Sequence, residues 1–172
     1  MNADRATLAR KLRFSDVVYA IDTTPKSLRL WLQRKQVKIA TPEKSDGGWA
    51  EYSIHDISIL ALVRKLVDFG VDVSTASEIA NKTMSDYFFQ LPMHVRNPEK
   101  MPAFALPLHW HNTRLWIHRT SLRDWALTIA PLWTSPAEPD SAYLSIDVAT
   151  VLQTAIKRAL ESADEGAGDD DD

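Results

Sequence analysis

From residue 15 onward the hydrophobic period of the chain changes several times, and a turn signal marks each change. In SDVVYAI, Val17, Val18 and Ile21 recur at helical spacing behind Ser15, which predicts a short helix capped by Ser15 and broken at Asp22-Thr23-Thr24. Thr24 followed by Pro25 predicts a new start, because a hydroxyl can accept from a free backbone N–H and proline suits the first helical position. The helix from Pro25 to about Arg34 then carries Leu28, Trp31 and Leu32 on one side and Lys26, Ser27, Arg29, Leu30 and Arg34 on the remainder. The stretch VKIATPEKSDGGWAEYS has a β-like first arm, a turn-rich middle and an aromatic second arm, so 37–52 reads as a hairpin. Ser53 and Asp56 form a capping box that opens a helix with Ile57, Leu60, Ala61, Val63 and Leu66 facing inward, stopped by Gly70. Thr75 and Glu78 form a second box, predicting a short helix to about Ser85.

The second half is more broken. Pro92, Pro98, Pro102 and Pro107 interrupt any long helix after residue 85. FALPLHWHNTRLWIH alternates and turns at Asn112-Thr113, which predicts a hairpin over 104–118. Its expected core face is Leu108, Trp110, Leu115 and Ile117; His109, His111, Arg114, Trp116 and His118 take the other. Ser121 and Asp124 open a predicted short helix, SLRDWALTIA, ended by Pro131. After the linker TSPAEPDSA, residues 144–163 read as an amphipathic helix whose seam is Val148, Val151, Leu152, Ala155, Ile156, Ala159 and Leu160. That seam either packs on its own chain or pairs with a second copy, and the second is preferred because a two-fold site needs a dimer.

Charge changes the picture more than composition does. The 172 residues contain no cysteine, which removes disulfides, thiolate metal sites and cysteine nucleophiles. No signal-peptide core and no run of about 20 apolar residues occurs, so a cytoplasmic chain without membrane contact is expected. The net charge of −3 conceals a separation. Residues 1–40 hold nine cations against three anions, starting with a basic arm over 1–13, whereas ESADEGAGDDDD holds seven acids and no base, so 164–172 is expected to be a disordered acidic tail. A basic end implies an anionic partner.

The order helix, turn, helix, wing, helix, helix, together with AIDTTPKSLRLWLQRKQV, GGWAEYS and HDISILALVRKLVDFGVDVSTASEIA, resembles the winged helix-turn-helix DNA-binding domain of the MerR family of transcription regulators over 14–85. Four residues depart from the family pattern. Ala50 and Glu51 stand where a basic wing residue is usual, Leu30 where an aromatic follows the Leu-Arg pair, and Lys35 where a glycine closes the recognition helix. The resemblance implies double-stranded DNA as partner, with helix 25–35 in the major groove. Thr23, Thr24, Lys26 and Ser27 lie at the helix start that reads base edges, Arg29 takes the place of the family's phosphate- or base-contacting arginine, and Arg34 and Lys35 supply charge at the far end. Lys38 and Lys44 border the wing, Trp49 either packs under it or touches the ligand, and Tyr52 matches the family's backbone-contacting tyrosine.

The expected fold is mainly α with small β: the winged helix-turn-helix over 14–85, a small α+β region over 86–143, and the C-terminal helix. The expected function is sequence-specific duplex binding by a homodimeric transcriptional regulator without cofactor. A phage-type DNA packaging or excision protein, or a protein-binding adaptor on the same scaffold, are the alternatives. Catalysis is not expected, since no acid pair, Ser-His-Asp set or phosphate-cradling glycine loop is spaced for it. A metal at His109, His111 and His118 is disfavoured by the cationic Arg114 among them. Tyr87, Phe88, Phe89, Trp110, Trp116, Trp125 and Trp133 are expected to build a second core, with an effector pocket in 86–143 as the other option.

Overall fold

The structure, a computed structural model, describes residues 10–40, 43–44, 50–94, 113–119, 125–131 and 143–166. In chain order these form α1 (Phe14–Ala20), α2 (Pro25–Gln33), β1 (Glu43–Lys44), β2 (Ala50–Glu51), α3 (Ile54–Asp68), α4 (Val73–His94), β3 (Thr113–Arg119), β4 (Trp125–Pro131), β5 (Tyr143–Asp147) and α5 (Val148–Gly166). The class is as expected, mainly helical with small antiparallel sheets.

The helices of the N-terminal half end by one device. Beyond α1 the N–H groups of Asp22 and Thr23 bond back to Tyr19 and Val18; beyond α2 those of Lys35 and Gln36 bond to Leu32 and Trp31; beyond α3 those of Gly70 and Val71 bond to Val67 and Leu66. This double closure of the last carbonyls requires a left-handed residue just past the cap. Asp22, Lys35 and Gly70 occupy it, with φ of 51°, 52° and 84°.

The starts follow the sequence less uniformly. Thr24 caps α2 as expected, accepting from Ser27 N–H at 3.1 Å, and the Ser53/Asp56 box opens α3. Ser15, however, lies inside α1: the helix starts at Phe14, and the Asp16 carboxylate satisfies the Arg13 N–H at 2.8 Å. Likewise Asp72, not Thr75, initiates α4 by accepting from Thr75 N–H at 3.0 Å. Hydrogen bonds from Thr75 hold the Asp72 carboxyl below the ordinary carboxylate value.

α3 is the centre of the molecule. Ile57, Ile59, Leu60, Leu62, Val63 and Leu66 are all buried, so the helix is covered on nearly every side rather than along one stripe. α4 and α5 pack against it, α1 touches it, and α1 packs along α5. Leu12 pairs with Tyr52 through two main-chain bonds of 3.0 and 2.9 Å, so the chain before α1 extends the two-stranded wing, in which Glu43 faces Glu51 and Lys44 faces Ala50; the first arm is thus 43–44, within the stretch expected as the turn, and 37–40 is not a strand.

The second half departs from expectation at four places. α4 continues through Pro92 to His94 instead of ending near Ser85. β3 is the centre of a three-stranded antiparallel sheet in the order β4-β3-β5, with Arg114 opposite both Ala130 and Asp147. Both of its edges are therefore taken by β4 and β5; the first arm of the expected 104–118 hairpin lies outside the described residues. Residues 125–131, expected as a helix, are β4; Trp, Thr and Ile suit an extended chain, and the open edge of β3 supplies the hydrogen bonds. Residues 143–147, expected to belong to the last helix or its linker, are β5, and α5 begins only at Val148. Leu115 and Ile117 do face the core, as the alternation implied.

The seam of α5 is used within the chain. Val148, Ala149, Leu152, Ala155, Ile156 and Ala159 are buried against α1, α3 and β3, so this face is not available to a second copy. The helix also runs three residues into the stretch expected to be disordered, to Gly166. Residues 1–9 of the basic arm, His109, His111, Trp110, Trp133 and 167–172 lie outside the described residues, and His118 meets Tyr143 edge-to-face with ring centroids 5.1 Å apart. Among the described residues no helix is long and apolar enough to cross a membrane.

Candidate nucleic-acid interface

α2 owes its position to its apolar side. Leu28 and Trp31 are buried and Leu32 packs beside them, which turns Lys26, Arg29, Leu30 and Gln33 outward at spacings of three and four. Arg34 and Lys35 continue the exposed surface past the cap. Among the described residues, Lys26, Arg29, Arg34 and Lys35 make no ion pair. Four uncompensated cations on one ridge raise the local potential toward an anion. The turn before the ridge is fixed, since Arg64 Nε donates to the Asp22 carbonyl at 3.0 Å.

The expected site residues are not equivalent. Thr24 exposes its side chain and donates to Ser27 Oγ at 2.9 Å, so the two hydroxyls are bonded to each other at the helix start. Thr23 is half-buried. The Arg29 guanidinium lies 5.1 Å from the centroid of the Phe14 ring; the alternatives of pairing with Asp22 or Asp56 are not realised. Asp56 instead is buried, accepting from Ser53 N–H at 3.0 Å, Ser53 hydroxyl at 2.7 Å and Ala40 N–H at 3.1 Å.

Around the wing, Lys38 is tied to α4: its N–H donates to Ser77 Oγ at 2.8 Å, its carbonyl accepts from Asn81, and its ammonium sits 3.4 Å from Glu78. That exposed pair is weak, so the charge stays available. Lys44 lies in β1, and Trp49 is outside the described residues. Tyr52 is a correction. Only 2% of it is exposed, its ring packs 6.4 Å from Phe14, and it belongs to the core that carries the wing. Burial first, then the Asp56 charge, raises its phenol above the ordinary value, so it stays neutral.

Residues not expected as contacts also reach this surface. Leu30, 38% exposed, and Gln33 occupy the middle of the outward ridge, and helical spacing alone contained that signal. Arg158 of α5 lies with its guanidinium 4.7 Å over the Tyr19 ring and 3.8 Å from Asp22, a placement no local signal carries. Among the described residues no three His, Asp or Glu side chains group as metal ligands.

No curated protein matches the chain. An exposed cationic helix behind a tight turn, flanked by a short wing and backed by two further helices, is the arrangement of a DNA-binding regulator's recognition unit. In keeping with that geometry, residues 12–83 match the family model described as MerR HTH family regulatory protein.

Proposed function

We propose that this protein is a sequence-specific duplex DNA-binding regulator of transcription that lays α2 in the major groove and the 37–52 wing beside it. The observation that carries the reading is the cationic ridge of Lys26, Arg29, Arg34 and Lys35, unpaired among the described residues, on a helix whose opposite side is anchored in the core. The hydroxyls of Thr24 and Ser27 stand at the end that meets base edges. Gln33 has the two-pronged amide suited to adenine, and Leu30 offers an apolar surface to a thymine methyl. Arg29, held over Phe14, and the ammonium groups of Lys26, Lys35 and Lys38 supply phosphate contacts.

Pairing of two copies, which a two-fold operator calls for, belongs to this reading and uses a surface other than the buried seam of α5. The test is a double substitution, Lys26→Ala with Arg29→Ala. Both side chains are exposed, so circular dichroism stays unchanged, while duplex affinity drops strongly and the slope of log affinity against log salt becomes shallower by about two units. Affinity and slope equal to those of the unsubstituted chain would end the assignment of this face and favour a protein-binding adaptor.

A further inference from the structure

We propose that Arg158, carried by α5 far along the chain from the helix-turn-helix, is a phosphate contact of the same DNA interface, so that the recognition surface is built from both halves of the sequence. The inference rests on the DNA-binding reading above and extends it to an element outside the matched 12–83 stretch.

A groove of about 470 Å³ runs beside the start of α2, and Thr23, Pro25, Arg29 and Arg158 all line it. Two guanidinium groups therefore flank one groove, and each is laid on an aromatic ring of α1: Arg29 over Phe14 at 5.1 Å and Arg158 over Tyr19 at 4.7 Å. Attraction to a ring face holds a guanidinium in place without using up its N–H donors. The guanidinium of Arg158 makes no hydrogen bond among the described residues; its one ion pair is with Asp22 at 3.8 Å, whose side chain is 85% exposed. An ion pair that long with so exposed a carboxylate contributes little, and a phosphate displaces it readily. Asp22 lines the groove as well and stands as the local anion that the phosphate replaces.

The position of Arg158 is set by the packing of α5. Ala155, Ile156 and Ala159 on either side of it are buried. Ser162 hydroxyl donates to Asp16 at 2.8 Å, and Arg10 pairs with Asp164 at 2.6 Å, tying the same helix to α1 and to the segment before it. The occupant is duplex DNA rather than a separate phosphorylated ligand, because Arg29 belongs both to this groove and to the outward ridge of α2. A duplex docked on the ridge carries its phosphate backbone past the start of α2, where the groove opens.

The full chain is tested on a duplex that the unsubstituted protein selects from a random-sequence pool, with affinity measured across a salt series. Arg158→Gln keeps a polar side chain on the same face of the helix and removes the charge; roughly ten-fold weaker binding at low salt and a slope shallower by about one unit are expected. Arg158→Lys retains most of the slope. Asp22→Asn strengthens binding in the unsubstituted chain and does so less when Arg158→Gln is also present. Thermal midpoints of each variant separate lost packing from lost contact. If Arg158→Gln leaves the slope unchanged while Lys26→Ala with Arg29→Ala reduces it, the inference is overturned and the DNA-binding reading stands. If neither changes it, both fall.

Discussion

Lys35 shows how much one backbone angle can decide. The residue past α2 must be left-handed for the double closure onto Trp31 and Leu32, and a side chain there costs about 1–2 kcal/mol against the right-handed region. Gly70 performs the same task after α3 without that cost, and it was legible as a helix stop because glycine is the residue such a position favours. Lysine carries no such signal, so at 35 only the resemblance marked a helix end, and the left-handed angle was visible only in the backbone. Lys35→Gly should raise the urea midpoint, by about 0.5–1 kcal/mol in stability, while weakening duplex binding through the lost cation. A lower midpoint would mean that the lysine side chain itself holds the turn. Tyr52 illustrates the converse. The Gly-aromatic-x-x-Tyr pattern located the wing, but whether the ring faced a phosphate or the interior depended on another segment, which bridges it at Leu12 and packs Phe14 against it.

At the scale of elements, helices with strong periodicity and caps were read closely, and α2 and α3 match their expected spans and inward faces. The two sides of α2 make different demands. Leu28 is fully buried, so Leu28→Ala should destabilise the fold by about 2–4 kcal/mol and weaken DNA binding in proportion to unfolding. Leu30 is 38% exposed, so Leu30→Ala should change stability by no more than about 0.5 kcal/mol and alter base preference instead, as read by selection from a random duplex pool. Equal losses of stability at the two positions would contradict the assignment of faces. The strands resisted reading because an extended conformation is completed by a neighbour. WALTIAP fits a half-buried helix or a strand almost equally well by composition, and the open edge of β3 settles the choice. YLSID alternates, with Leu144 and Ile146 inward, yet adjoined a strong helical seam that masked it.

For the molecule as a whole, the decisive contact joins its two ends. α5 packs on α1 and α3, and side-chain bonds of Ser162 and Asp164 reach Asp16 and Arg10, so the last helix is part of the core on which the helix-turn-helix stands. A charge placed in that contact should disturb both ends together. Ala155→Asp buries a carboxylate without a partner and should lower the thermal midpoint by many degrees. It should also reduce duplex affinity, although residue 155 faces away from solvent and from DNA. A variant that melts α5 alone, with α1 amides still protected from hydrogen exchange, would show that the two ends are separate units. The apolar seam of α5 was plain in the sequence; its partner was not, since a seam looks the same whether it covers its own chain or another copy.

By itself the sequence determined what is local: the succession of short helices, the caps at Thr24 and Ser53, the glycine stop at Gly70, the wing, and the cationic side of α2. These depend on spacing and on the chemistry of neighbouring residues, which are written in order along the chain. Tertiary structure alone decided the pairing of β3 with β4 and β5, the burial of Tyr52, the docking of α5 onto α1 and α3, and the arrival of Arg158 beside Arg29. Each of these joins segments far apart in sequence, and which apolar face meets which is settled by the burial available in the assembled core, a quantity no short window of residues contains.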